Sequence, residues 1–451
     1  MLRGDWRNHW LLLASAVFYG WWNEKLLLLI GAVIFVSWMA AQVIKAREGN
    51  RRGQLVALWL AIGFQLAMLG VFKYFNFFKG SAEDMLAMAG LPVSWPVLNI
   101  ILPVGISFYI FQAISYLVDV FRKDLPAESR LDRVALYIAF FPQLVAGPIV
   151  RAASFFPQIE REKKLTSALI ASGARAFMIG FVYKAAIADN IAPFVDPVFA
   201  DVGAWSNSSL IAATFAFGTQ IYFDFAGYSL MAIGVARWFG FYIPKNFNDP
   251  YSSTSIDIFW RRWHMSLSFW LRDYLYIPLG GNRLGELKTY RNQMITMLLG
   301  GLWHGAAWNF VIWGGIHGMA LAVHRAFMGK NKHRVLFPLA GGAFGLLMTV
   351  IVVFAAWVPF RAANLGDTLS VWFAATGLRE GGASQLSFVA FLVPLLLVVD
   401  SLFSQAGFLK RLSRVPLLRA PAFYWAGAGC LTALALALYP LKSAPFVYFQ
   451  F

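Results

Sequence analysis

Apolar residues fill this chain in runs rather than in periodic stripes. Runs of about 18 to 29 residues, close to the ~20 that carry a helix across a bilayer, lie at about residues 26–44, 55–72, 97–120, 166–188, 208–236, 336–358, 386–404 and 422–440. The pattern predicts membrane-spanning helices from one end of the chain to the other. Trp10 to Trp22 gives only 13 apolar-leaning residues, which predicts an interfacial, tilted or incomplete first element.

Three stretches depart from simple spans. Leu136 to Val150 is basic on both flanks, with Arg130 and Arg133 before it and Arg161, Lys163 and Lys164 after it. A single crossing would put one flank outside, and Pro142, Gly147 and Pro148 break helices, so a re-entrant element buried in protein is expected. Asn292 to Ala326 lies in the same way between Arg283, Lys288 and Arg291 and Lys330, Lys332 and Arg334. It predicts two traverses or a deep hairpin, with His304 near the middle of the first arm, at membrane depth. Ile256 to Leu279 interleaves Trp260, Trp263, Phe269 and Trp270 with Arg261, Arg262, Arg272 and Asp273, the pattern of an amphipathic helix lying in the interface.

Composition makes the membrane region the whole protein. Of 451 residues 59% are hydrophobic and 13% charged, against about 25% charged in a soluble domain, so residues 1–451 read as a single membrane-embedded domain. The net charge of +16 sits in short connections between apolar runs, as the positive-inside rule requires of cytoplasmic loops, and nucleic acid is excluded as a partner. The connection from Lys45 to Arg52 is the first such marker, and the one holding Lys410, Arg411, Arg414 and Arg419 places the aromatic C-terminus, Tyr448 to Phe451, on the outer side. The single cysteine, Cys430, rules out an intrachain disulfide and a cysteine metal cluster and reads as packing.

Candidate chemistry rests on ionisable groups at membrane depth. His304 stands in Gly300-Gly301-Leu302-Trp303-His304-Gly305, with no formal charge between Arg291 and Arg325. An ionisable ring there is expensive, which makes it a functional position by default, and a neutral imidazole can take a proton from a hydroxyl as that hydroxyl attacks an acyl carbonyl. His264 reads equally well as an interfacial structural residue and as a catalytic one. His317 could face His304 across the hairpin or simply bridge helices. Asp224, deep in its run, suggests support for a catalytic group or a buried arginine. His9, His324 and His333 lie near charged or terminal segments and read as solvated or headgroup-level. No pair of histidines has metal-site helical spacing, and neither a Gly-x-Ser-x-Gly elbow nor a phosphate loop is present.

These residues carry a resemblance. The runs Arg7-Asn8-His9-Trp10, Leu102-Pro103-Val104-Gly105-Ile106-Ser107, Phe141-Pro142-Gln143-Leu144-Val145-Ala146-Gly147-Pro148, Tyr222-Phe223-Asp224-Phe225-Ala226-Gly227-Tyr228, Phe259-Trp260-Arg261-Arg262-Trp263-His264 and Gly301-Leu302-Trp303-His304-Gly305 together resemble the membrane-bound O-acyltransferase family. Arg272-Asp273-Tyr274-Leu275-Tyr276-Ile277-Pro278-Leu279-Gly280-Gly281-Asn282-Arg283 is similar to its bacterial alginate O-acetyltransferase branch. Leu230 stands where relatives of that branch usually have Asp, and an apolar span that usually precedes the Arg-Asn-x-Trp run is absent.

The resemblance implies an all-α ring of tilted transmembrane helices with re-entrant elements around a central funnel. It implies that His304 and His264 are catalytic; Asp224, Arg261, Trp303 and His317 are expected to support them. No bound cofactor is implied; acetyl-CoA, or an acetyl group derived from it, is the donor. The expected partners are an extracytoplasmic acetyltransferase and polysaccharide export machinery, with membrane lipid around a multi-pass protein of the bacterial inner membrane. The reaction so implied is O-acetylation of an exported polysaccharide. Two other readings compete with the enzyme: a transporter or flippase in which His304, Asp224 and His264 relay protons, which lacks the expected internal repeats, and an assembly scaffold.

Overall fold

The computed structural model describes residues 4–98, 102–145, 147–328 and 341–377, with scattered positions between 379 and 447. Every regular element among them is helical, and the chain divides into two compact units, Met1–Ile170 with Val235–Pro244 and Ala171–Gly234 with Lys245–Phe451. Among the described residues four helical stretches are long and apolar enough to cross a membrane: Lys25–Ala46, Arg51–Met88, Ser167–Ala200 and Gly342–Arg361. The protein is a membrane protein. Expectations for 386–404, 422–440, the connection at 410–419, His333 and Tyr448–Phe451 lie largely or wholly outside the described residues.

The first unit contains α1 (Gly4–Trp22), α2 (Lys25–Ala46), α3 (Arg51–Leu69), α4 (Phe75–Met88), α5 (Ile106–Arg122), α6 (Leu131–Ala139), α7 (Phe141–Leu144) and α8 (Ala152–Glu160). Helix α1 is longer than its apolar run because polar residues at its start find partners: Arg130 Nη1 donates to Asp5 at 2.6 Å, and Arg7 Nη2 to the Ile159 carbonyl at 2.6 Å. The Arg130 guanidinium also lies 2.7 Å from Asp132 and holds that carboxyl below its ordinary range. Helices α3 and α4 are joined through a π-helical turn at Gly70–Tyr74 into one 38-residue rod. The run at 97–120 becomes helical only at Ile106, because Pro103 and the left-handed Gly105 precede it.

The element expected at Leu136 to Val150 is broken and buried. Helix α6 stops at Phe140, one short turn follows in α7, and residues 148–151 have no regular structure before α8. Its freed polar groups are satisfied inside the protein: Phe141 N donates to Ser15 Oγ at 3.1 Å, Gln143 Nε2 to the Tyr137 carbonyl at 2.8 Å, and Tyr137 Oη to the Val150 carbonyl at 2.9 Å. Such pairing is the condition for irregular backbone away from water.

The second unit holds most of α9 (Ser167–Phe181), α10 (Asp189–Ala200) beyond a π-helical stretch at Val182–Ala188, most of α11 (Asn207–Trp238), α12 (Ile256–Arg262), α13 (Met265–Leu271), α14 (Glu286–His304), α15 (Trp308–Met328), α16 (Gly341–Arg361) and α17 (Leu365–Ala374). The expected hairpin is α14 and α15, joined by only Gly305, Ala306 and Ala307. Two positions allow the arms to touch backbone to backbone: a Cβ on Gly301 would lie 2.1 Å from the Phe310 carbonyl oxygen, and one on Gly314 2.2 Å from that of Met297.

Three expectations need correction. His304 is not mid-arm but the last residue of α14, because Gly305 leaves helical geometry with φ −155° and ψ 151°. The stretch Ile256 to Leu279 is not one interfacial helix. It breaks at Trp263 and His264, resumes as α13 and ends in a π-helical turn at Arg272–Tyr276, with Trp260, Trp263 and Trp270 buried. Its aromatic residues pack inward on protein, an arrangement whose residue pattern matches that of an interfacial face. Cys430, expected in packing, is exposed.

Gly314→Val is expected to cost about 3 kcal/mol or more, since the clash is with backbone and only separation of the arms relieves it. Thermal unfolding of the purified protein in detergent checks this; an unchanged midpoint would refute the close packing.

Candidate active site

The break after α12 presents His264, and a single amide makes it. Asn246 Oδ1 lies 3.1 Å from His264 Nδ1, 3.2 Å from the Ser266 backbone N and 2.9 Å from Ser266 Oγ, while the Asn246 carbonyl accepts from Met265 N at 2.8 Å. The N–H groups that a continuous helix would use are thus taken by Asn246. His264 itself sits at φ 40°, a left-handed conformation costing about 1–2 kcal/mol in a residue with a Cβ.

The same contacts fix the tautomer. A backbone N–H can only donate, so the Asn246 atom facing Ser266 is oxygen, and its amide nitrogen points the other way, 3.2 Å from Ser229 Oγ. His264 Nδ1 must therefore carry the hydrogen, which leaves the lone pair of the neutral ring on Nε2.

His304 reaches the same place from the turn of the hairpin. The two imidazole centroids are 6.4 Å apart, and both rings are almost wholly enclosed. Trp303 packs edge-on to His264 at 5.9 Å and to His304 at 5.0 Å, while Trp313 of α15 and Phe360 of α16 lie 4.9 and 5.3 Å from His304. His317 lies 4.8 Å from the other flank of Trp313. The structure thus brings together His264, His304, Trp303 and His317. The arrangement is two imidazoles in an aromatic shell, one with a fixed lone-pair atom, suited to moving a proton during attack on a carbonyl.

Asp224 is placed elsewhere. Its Oδ1 lies 2.8 Å from Lys184 Nζ and its Oδ2 accepts from Val447 N at 2.7 Å; Lys184 also meets Asp189 at 2.6 Å and the Ala444 carbonyl at 3.0 Å. The expected buried arginine is a lysine, held in the π-helical stretch after α9. The link to the histidines is by packing: Phe446 lies 5.7 Å from Phe225, and Phe225 stands edge-on to His264 at 4.7 Å. Arg261 is not with the histidines either. It is largely exposed, 3.0 Å from Asp257, on the wall of a cavity of about 540 Å³ that Trp260, Arg272, Met297, Leu321 and Arg325 also line. His324 lines the same cavity, and His9 lies 3.1 Å from Asp132.

Asn246 and Lys184 were missed by sequence reasoning. Lys184 had a signal, a lone cation in an apolar run able to neutralise the lone Asp224. Asn246 had none, lying 18 positions from the histidine it orients in a polar connection. Among the described residues no three histidine, cysteine or carboxylate side chains gather as a metal site.

Comparison with known proteins assigns the class. The model of the membrane-bound O-acyltransferase family matches residues 129–358, which contain both enclosed histidines and Asn246. The chain belongs to that family and is an O-acyltransferase. It is 45% identical over 362 residues to the probable alginate O-acetylase AlgI of Pseudomonas aeruginosa, covering 80% of this chain and 68% of that one. It is 37% identical over 412 residues to the peptidoglycan O-acetyltransferase of Helicobacter pylori, covering 84% and 75%. The teichoic acid D-alanyltransferase of Bacillus subtilis is 29% identical over 272 residues, covering 57% and 67%. Membership decides for the enzyme over the transporter and scaffold readings.

Asn246→Leu removes the acceptor that sets the His264 tautomer and leaves the Ser266 N–H unpaired. It is expected to cost about 1–3 kcal/mol of stability and about 10- to 100-fold in acyl transfer, in line with loss of a positioned proton carrier. Lys184→Met leaves two carboxylates buried without their cation, at about 3–5 kcal/mol. Denaturation in detergent micelles reads both, and a Lys184→Met protein as stable as the parent would contradict the buried pairing.

Proposed function

We propose that this protein moves acetyl groups from a cytosolic thioester donor across the inner membrane for O-acetylation of an exported polysaccharide. The observation that carries the proposal is the pair of enclosed imidazoles, His264 and His304, 6.4 Å apart at the turn of the hairpin. At 1.5 Å per residue His304 lies about 20 Å along α14 beyond Arg291, most of the way through the ~30 Å hydrocarbon layer. A base at that depth serves a reaction whose two substrates arrive from opposite faces.

The donor's end of the path is the cavity of about 540 Å³ at the foot of the hairpin. Arg261, Arg272, Arg325 and His324 line it against a single carboxylate, Asp257, and basic residues surround it in sequence, which supports a cytoplasmic position by the positive-inside rule. That lining suits the phosphates of acetyl-CoA or another anionic carrier of acetyl groups.

In the reaction His304 takes the proton of the acceptor hydroxyl as its oxygen attacks the acetyl carbonyl. His264, with Nε2 as its lone-pair atom, shares or orients that proton. The aromatic shell keeps bulk water from the thioester, which it would otherwise hydrolyse. The names of the P. aeruginosa and H. pylori relatives support a glycan as the final acceptor. The transfer is completed with an extracytoplasmic acetyltransferase and the polysaccharide export machinery. The protein is multi-pass and acts as one membrane-embedded domain, a ring of tilted helices around a funnel open to both faces.

His304→Ala is expected to lower ester-linked acetyl on the exported polymer by about 10²- to 10⁴-fold at unchanged protein level, the usual contribution of a positioned base. Alkaline release of acetate from purified polymer measures it. Acetylation equal to that of the parent strain would sink the reading.

A further inference from the structure

His317 is fully buried, and neither of its ring nitrogens has a hydrogen-bond partner among the described residues. It is caged by rings: Phe259 stacked at 6.0 Å, Trp260 edge-on at 5.1 Å and Trp313 at 4.8 Å. The indole nitrogens of Trp260 and Trp313 are likewise buried without a partner among the described residues. Buried polar groups are nearly always paired, so several unpaired ones side by side call for a partner from outside the chain. Indoles only donate, whereas a neutral imidazole donates at one nitrogen and accepts at the other. The partner must therefore both accept and donate, as a water or a thiol does.

The position of the cage says what that exchange is for. Trp260 belongs to both the cage and the cavity wall, as Leu321, one helical turn beyond His317 on α15, belongs to the cavity wall. Trp313 packs against both His317 and His304, its centroid 4.8 Å from the first and 4.9 Å from the second. His317 thus stands between the donor cavity and the base.

We propose that His317 delivers the proton that the leaving thiolate takes up. The inference rests on the thioester-transfer reading above. As the acceptor oxygen bonds to the acetyl carbon, the carbon–sulfur bond breaks and its electron pair leaves on sulfur. The hydroxyl proton goes to His304, whose imidazolium passes it through a water held by the indole of Trp313 to one nitrogen of His317, and His317 gives up the proton on its other nitrogen to sulfur. Atoms and charge balance: one proton leaves oxygen, one arrives on sulfur, and both imidazoles end neutral.

The test is thiol release in membrane vesicles of the polymer-producing cell carrying the full-length protein. Acetyl-CoA is compared with a series of acetyl thioesters whose thiols run from alkyl to nitroaryl. His317→Asn is expected to lose about 10²-fold in kcat with acetyl-CoA, with KM little changed, and less than about threefold with the nitroaryl donor, whose thiolate needs no proton to leave. Trp313→Phe, which keeps an aromatic ring at the position but loses the indole N–H, is expected to show the same donor dependence more weakly and separates a loss of the relay from a general loss of activity in the first variant. Equal losses across the donor series, or no loss with acetyl-CoA, would overturn the proposal. His304→Ala is expected to fail with every donor; if it retains activity, the thioester-transfer reading itself fails.

Discussion

A polar group removed from water must find its partner within the chain, and the site is arranged around one such partner, the side-chain oxygen of Asn246. It accepts from an imidazole, a backbone N–H and a hydroxyl at once, three donors against the one or two a carbonyl usually serves. Without it α12 and α13 have the sequence to be one helix, and His264 would turn with that helix rather than stand out at the break. The strained backbone at His264 is affordable because these hydrogen bonds and the rings around them over-determine it. The broken element at Leu136 to Val150 meets the same constraint with Ser15, Gln143 and Tyr137.

The aromatic shell then sets the chemistry. Trp303, Trp313 and Phe360 crowd His304 with apolar surface. A neutral imidazole is the form able to take a proton. His264 is fixed by Asn246 and His304 by the short turn at Gly305, so the two rings come from separate elements yet are held at a set spacing. The close backbone packing of α14 and α15 at Gly301 and Gly314 supplies the rigidity on which that spacing depends.

Much of this was legible in the residues. The runs at 26–44 and 208–236 became helices with nearly those bounds, because an apolar run between charged flanks leaves few alternatives. The hairpin followed from basic flanks on both sides of Asn292 to Ala326, and His304 from the cost of an ionisable ring in an uncharged stretch. What could not be read was long-range pairing. The helix break at His264 is made by a residue 18 positions away, and an aromatic face that packs on protein has the same residue pattern as one that lies on lipid. His304 fell at the end of its helix rather than within it because Gly305, one of several local glycines, is the one that leaves helical geometry.

The buried ion cluster of Lys184, Asp189 and Asp224 is harder to justify by stability alone, since apolar residues of like volume would often do as well. Its geometry suggests what it specifies. Asp224 and Phe225 are neighbours on α11 and look in different directions, the first to Lys184 and Val447, the second to His264. Phe446 closes the loop by packing on Phe225 and, at 4.5 Å, on Tyr228. Charges pair only in one register, whereas rings slide, so the ion cluster fixes the rotation of α11 and the seat of Ala444 to Val447, and the rings pass that register on to the imidazole. A purely apolar contact in the same place would hold the helix without fixing where His264 stands.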